Sequence, residues 1–468
     1  GESLDHPAPA FAPTAPASPV FSSGGTGAQW DLLASVPTGN PHTDIDYFRQ
    51  RGELYAAVGT LAIGPNGGGQ TIVKLTQNGR VTPSSPRFVA GHPSATCPSN
   101  PSAALGLQHD VEATPKGGTM LNAAGSKAPN LDAQLLVDAS DQRGRCHDSS
   151  GFGTETQPRG GLELIDITNA GQPKEIGLTS HIGEAHTVNV DPKRPHIAYA
   201  MSSDSVSVAA DGTRANENPA SSQRFNLDGF EVIDMSSCMY FPKGMSIVEK
   251  RLACRPQVYR YRYPSAEIAL GHTNKGSIYG CHELEVYAND RLTCGGGSAL
   301  MMFDMSHAFD TRGTATPLDD KPRGTPLPCR VRGSLSNPPF KTGAMVTDCV
   351  DGTGAGTEDL SIPNWLAAGA PSLTGVRYLG SVHHQGRNAT GQITYPSTED
   401  IDFNHEAELT ASGRYLLATD ERGGGVVPPG ASCAPGADNT EGNGGAHAYD
   451  VSKLQTTMPA TVPEAGRP

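Results

Sequence analysis

The sequence predicts an all-β fold, a β-propeller of four-stranded blades, on three observations. A set of three strand-like elements recurs five times in the same order, turn chemistry separates the elements, and the composition is rich in turn formers. Gly (56) and Pro (38) make up about a fifth of the 468 residues, while only 18 % are charged, a profile that suits many short strands joined by loops.

The first element is a His that heads a short alternating strand: HTDIDYF from His42, HDVEAT from His109, HTVNVD from His186, HELEVY from His282 and HEAELT from His405. A second apolar strand follows each, as ELYAAVGT from Glu53, AQLLVDAS from Ala133, HIAYAMSS from His196, RLTCGG from Arg291 and RYLLATDE from Arg414. Links such as RQRGE, DPKRP, ANDR and ASGR have the residues of tight turns. Third strands begin at Gly: GQTIVKLT from Gly69, GLELIDIT from Gly161, GFEVIDMS from Gly229, GSALMMFDMS from Gly297 and GAHAYDVS from Gly445. Fourth strands are visible in PRFVAG from Pro86, PKEIGLTS from Pro173 and GVRYLGSV from Gly375.

The third strands GLELIDIT and GFEVIDMS resemble the LVIVD repeat of bacterial and archaeal surface proteins, a repeat associated with β-propellers. CHELEVYANDRLTCGGGSALMMFDMS and NHEAELTASGRYLLATDERGGG are its clearest instances, and the likeness runs from about 40 to 452 with the insertions left out. It implies a secreted or cell-surface propeller.

Residues 1–28 are rich in Pro, Ala, Ser and Gly and read as a tail or linker, with the propeller over 29–468. Blades are expected near 42–91, 109–180, 186–272, 282–382 and 405–452. Successive lead histidines are 67, 77, 96 and 123 residues apart, so the excess falls in insertions near 203–226, 238–272 and 307–373. Binding surfaces concentrate on such loops. The fifth unit has no convincing fourth strand in TTMPATVPEAGRP. Five recognisable blades are therefore expected to belong to a seven-bladed propeller, completed by a C-terminal fragment or a second chain.

A net charge of −13 with scattered basic residues excludes the basic face that phosphate neutralisation needs, so no nucleic-acid partner is expected. No apolar run approaches the length of a transmembrane segment. Nine cysteines without a CxxC pair point to disulfides and an extracellular location. Pairing of neighbours would join Cys97 to Cys146, Cys238 to Cys254, Cys281 to Cys294 and Cys329 to Cys349, leaving Cys433 over.

In a propeller the first strand of each blade is innermost, which would gather His42, His109, His186, His282 and His405 at one mouth of the central channel. Converging imidazoles suit a transition metal such as Cu or Zn. The other reading is structural, each His bracing two blades through hydrogen bonds to buried backbone. His42 belongs to the most diverged unit. The acids that follow three of them, Asp110, Glu283 and Glu406, should by strand alternation face away from the His and could bind a neighbouring blade.

Three further features have a bland reading beside a functional one. His383 and His384 could place one imidazole near such a site or be solvated. The loop DCVDGTGAGTED, with Asp348, Asp351, Glu358 and Asp359, has oxygen ligands for Ca²⁺ without EF-hand spacing. Tyr259, Tyr261 and Tyr263 alternate as a packed sheet face or an exposed binding surface would.

No GxSxG, P-loop, HExxH or dinucleotide fingerprint is present. The expected function is thus a non-catalytic binding or scaffolding protein that engages a protein, a glycan or another copy of itself through its insertion loops. The alternative is a metal-dependent, copper-type extracellular oxidoreductase. Propellers of the methanethiol oxidase and selenium-binding type are copper proteins with inward histidines, a likeness of fold that carries no residue over.

Overall fold

The computed structural model describes residues 34–36, 42–60, 69–93, 107–115, 133–141, 161–180, 185–201, 229–242, 244–262, 281–296, 299–327, 330–334, 344–348, 373–383, 386–387, 393–394, 404–420 and 446–453. The 1–28 segment, Cys97, Cys146, Cys329, Cys349, Cys433, Tyr263, His384 and most of the acidic loop lie outside these residues.

Five sheets follow one another along the sequence, and the three or four strands that define each lie side by side, antiparallel and in sequence order. Sheet I holds β1 (His42–Gln50), β2 (Glu53–Thr60), β3 (Gly69–Lys74) and β4 (Arg87–Pro93). Sheet II holds β5 (Leu107–Ala113), β6 (Leu135–Asp141), β7 (Gly161–Asp166) and β8 (Lys174–Ser180). Sheet III holds β9 (Thr187–Val190), β10 (Ile197–Met201), β11 (Gly229–Asp234) and β12 (Gln257–Arg262). Sheet IV starts with β13 (Glu283–Val286), β14 (Arg291–Gly296) and β15 (Ala299–Asp304).

The last insertion holds more strand than the loop expected from its sequence: β16 (Phe309–Asp310), β17 (Lys321–Pro322), β18 (Arg330–Ser334) and β19 (Met345–Asp348) precede β20 (Arg377–His383), the fourth strand of sheet IV. β19 runs parallel to β8, so β18 and β19 extend sheet II and cover its outer edge. After the short pair β21 (Gly386–Arg387) and β22 (Ile393–Thr394), sheet V has β23 (Asn404–Leu409), β24 (Tyr415–Asp420) and β25 (Ala446–Asp450), and among the described residues no fourth strand.

Local chemistry places the turns. Arg51 and Gly52 both take positive φ (50° and 80°) between β1 and β2, as do Asn78 and Gly79 (52° and 73°) after β3. Two consecutive left-handed residues give the hairpin a twist that matches its strands.

The sheets stack face to face, with β1, β5, β9, β13 and β23 packed edge to edge as the innermost strands. This arrangement is a propeller: alternate side chains of one strand serve two different cores. On β10, Ala198 and Ala200 join Leu135, Val137 and Leu164 of sheet II, whereas Ile197, Tyr199 and Met201 join Leu284, Leu292 and Phe303 of sheet IV. All five β10 residues are consequently buried, which the alternating pattern of a one-sided sheet would not give. Phe48, Ile72, Val111 and Ile165 fill the space between sheets I and II, and Leu300, Leu379, Ala407 and Leu416 that between IV and V. Tyr259 and Tyr261 of β12 are buried in the sheet III/IV core, a packed face rather than a binding surface.

At the two ends of the series the pattern changes. Ile45 and Tyr47 of β1 (48 % and 55 % exposed) and Tyr415 and Leu417 of β24 (39 % and 43 %) occupy positions whose counterparts in the middle sheets are buried.

Two of the expected disulfides are formed. Cys238–Cys254 links α1 (Ser236–Met239) to the residue after α2 (Ile247–Ala253), a helix started by a Ser246/Glu249 capping box. A Cβ on Gly177 would fall 2.7 Å from Cys254 Sγ, so β8 needs glycine where it meets this bond. Cys281–Cys294 ties the segment just ahead of β13 to β14 and so fixes the start of an inner strand. Among the described residues no helix is long and apolar enough to cross a membrane.

Candidate metal site in the lumen

Four of the five lead histidines come together. The ring centroids of His109 and His186 are 3.4 Å apart, those of His186 and His282 4.2 Å, and those of His282 and His405 4.5 Å. Each ring comes from a different sheet, II to V in order, so the row follows the inner wall of the propeller. His42, by contrast, is exposed at the start of β1.

Irregular backbone at the head of each inner strand aims these side chains. The pairing of β5 with β6 shifts register between Gln108 and Asp110, which makes His109 the extra residue of a bulge, and β23 does the same around His405 between Asn404 and Glu406. A bulge turns one side chain out of the pleat. His186 and His282 instead precede the first residue of regular strand, and their amides bond to Met201 O and Gly295 O.

For this reason the expectation that the acid after each His faces away from it fails at His282. Ligand atoms of His282, Glu283 and His405 all lie within 4.8 Å of one another. Alternation holds only inside a regular strand, and β13 begins at Glu283 itself. The other half of that expectation, a bond to the neighbouring blade, is met at Asp110. Asp110 Oδ2 accepts from Val188 N at 2.7 Å, and from sheet I Asp44 and Asp46 accept from Val111 N (3.2 Å) and Ala113 N (2.7 Å).

Sequence reasoning overlooked the density of carboxyl groups in this channel. The second acid of each motif, Glu112, Glu285 and Glu408, lies two residues beyond the first on the same strand face, and the H-[D/E]-x-E spacing could have revealed it. Burial pushes Asp110 well above the usual carboxylate range, with Glu283 and Asp44 adding repulsion. Glu283 is raised by burial and then by Glu406 and Glu285, and Glu112 by burial and then by Asp46 and Glu285. Glu285 is pushed up to about 7 by burial and Glu408, against a 3.4 Å bond from Asn189 Nδ2. Glu283 of sheet IV is thus raised in part by Asp44 of sheet I, as expected if the sheets curve around one lumen. Burial, and after it the imidazoles of His186, His405 and His109, push His282 far below its ordinary value. It is neutral at physiological pH and carries the lone pair a metal requires.

The donor set fits a borderline divalent ion. Two imidazoles and one carboxylate match both open-site Zn²⁺ and the facial Fe²⁺ triad, and each leaves coordination positions unfilled. Gly295 helps to build the site. A Cβ there would meet Glu406 C at 3.0 Å, His405 O at 3.1 Å and Glu406 N at 3.2 Å, so a side chain at this position would press β23 away from β14.

Of the remaining expected ligands, His383 falls at the end of β20 and Asp348 at the end of β19, while His384, Asp351, Glu358 and Asp359 lie outside the described residues. Neither the family models nor the curated proteins contain a match to this sequence. Among solved structures it is similar to a glycoside hydrolase (11 % identity, TM-score 0.28, covering 84 % of this protein and 87 % of that one). It is also similar to a BT0996 RGII complex (10 % identity, TM-score 0.28, with the same 84 % and 87 % coverage). Likeness at this level says nothing of function, and the assignment of the fold stands on the sheet topology.

Proposed function

We propose that this protein is an extracellular metal-binding β-propeller of LVIVD type that holds a transition-metal ion in its lumen through His282, Glu283 and His405. The observation that carries this reading is the meeting of three ligand atoms from two sheets within 4.8 Å. The neutral state of His282 and the row of imidazoles leading to His109 support it. Two disulfides support an oxidising compartment.

Because three protein ligands leave positions open, the ion can take a substrate, and with a redox-active ion such as Fe²⁺ or Cu²⁺ in place the site would suit a metal-dependent oxidoreductase. The exposed apolar residues of β1 and β24 favour a second role, the docking of a protein partner or another copy on the end sheets.

Elemental analysis for Cu, Zn and Fe on protein purified without chelators tests the metal reading. One equivalent should be present that is absent from the His282→Ala/His405→Ala variant, with both proteins folded by circular dichroism. Metal-free wild type, or identical metal content in the variant, overturns it.

A further inference from the structure

A second group of metal-ligating side chains lies away from the lumen, at the seam between sheets I and II. His92 stands on β4, Glu163 on β7 and Glu175 on β8, and their ligand atoms lie within 4.8 Å of one another. Both glutamates are fully buried. His92 Nε2 is inaccessible and makes no hydrogen bond.

The repeat supplies an internal comparison. Glu163 of GLELID and Glu231 of GFEVID occupy the same position of the third strand in successive sheets. In sheet III, Glu231 pairs across the ladder with Arg260, whose Nη2 and Nε donate to its carboxylate at 2.9 and 3.1 Å. In sheet II the residue opposite Glu163 is Leu178, and a second carboxylate and an imidazole bring their ligand atoms within 4.8 Å of its own. Asp138, also buried, pairs with Glu163 on the other side and is raised by burial and by that neighbour. A cation is what such a set neutralises on, and an imidazole among the carboxylates selects one that accepts nitrogen.

We propose that His92, Glu163 and Glu175 form a second divalent-cation site, of the Zn²⁺ class, that fastens the outer strands of sheets I and II. Burial, followed by Lys174 and Arg251, lowers His92 to about 4, so its imidazole is neutral above that pH. Arg251 is the competing occupant: its Nε donates to the Glu175 carbonyl at 2.9 Å, and the Glu175 carboxylate opposes the effect of burial on its guanidinium. With Arg251 as the true counter-charge the seam would take no metal.

The test uses the full-length protein with the lumen silenced by His282→Ala/His405→Ala. After dialysis against EDTA, it is titrated with Zn²⁺ by calorimetry and followed by thermal unfolding. One equivalent should bind and raise the Tm, and adding Glu163→Gln/Glu175→Gln, or the milder His92→Gln, should weaken binding about 100-fold. Wild type carrying only the Glu→Gln pair should keep the lumen ion. Absence of zinc binding in the lumen-silenced protein, or binding that survives the Glu→Gln pair and His92→Gln, overturns the proposal. Failure of the lumen reading is separate, appearing as equal stoichiometry in wild type and the lumen-silenced protein.

Discussion

Arg194→Ala is expected to destabilise the protein by about 3–5 kcal/mol, the cost of leaving buried carboxylates without their cation. Arg194 lies in the turn between β9 and β10, with its side chain only 4 % exposed. Its Nε donates to Asp320 Oδ2 at 2.7 Å, and its Nη1 to Asp290 Oδ1 at 2.7 Å and Asp191 Oδ2 at 3.1 Å. The guanidinium also stacks over Phe309 at 4.0 Å. One side chain therefore joins sheet III, the β13–β14 turn of sheet IV and the insertion that follows β15. His196 adds a 2.7 Å bond from Nε2 to Asp320 O.

Among the described residues the Lys193 ammonium reaches Asp290 alone, at 2.7 Å, and cannot replace the fork. Arg194→Lys keeps a charge but not the planar set of donors, and is expected to cost about half as much. Urea unfolding of the two variants checks both figures. Equal, small losses would show that the network is incidental to the seam.

Metal affinity in the lumen is expected to rise about tenfold per pH unit between roughly pH 5.5 and 7 for each proton the ion displaces. The free lumen holds its carboxyl groups protonated well beyond their ordinary range, Glu285 up to about 7 and Glu283 raised as well by burial among its acidic neighbours. A cation must remove those protons. The metal-free protein should show the opposite slope. A carboxyl raised from 4.5 to about 7 contributes stability that is complete below pH 4.5 and lost as pH climbs through 7, on the order of 3 kcal/mol at most for Glu285. Calorimetric titration of Zn²⁺ across this range, with Tm of the EDTA-treated protein alongside, measures both trends. Glu285→Gln should flatten the metal-free profile. A pH-independent affinity would mean that no lumen carboxyl gives up a proton to the ion.

Much of the fold is legible in the sequence because one repeat is written five times. His-headed first strands, Gly-headed third strands and turn residues such as Arg51-Gly52 each obey local rules that need no tertiary context. The pairing of Cys238 with Cys254 and of Cys281 with Cys294 followed from proximity in sequence. What stayed hidden depends on partners far away along the backbone. Nothing local marks β19 as a parallel neighbour of β8, since that pairing joins residues 177–180 to 345–348. The bulges at His109 and His405 are likewise set by β6 and β24, and the alternation from which the acids were read as facing away fails at His282 because regular strand begins only at Glu283. Convergence of four imidazoles followed from the repeat, whereas the channel's carboxyl groups became visible only once the inner strands were side by side.

Crystals of the protein soaked with Zn²⁺ or Cu²⁺ and measured at the metal's absorption edge test the central claim most directly. The account predicts an anomalous peak within about 2.0–2.2 Å of an imidazole nitrogen of His282, one of His405 and a carboxylate oxygen of Glu283. A lumen without a peak, with those imidazoles bonded instead to carbonyl or carboxyl groups of the adjoining sheets, would contradict it and leave the His row as a brace between blades.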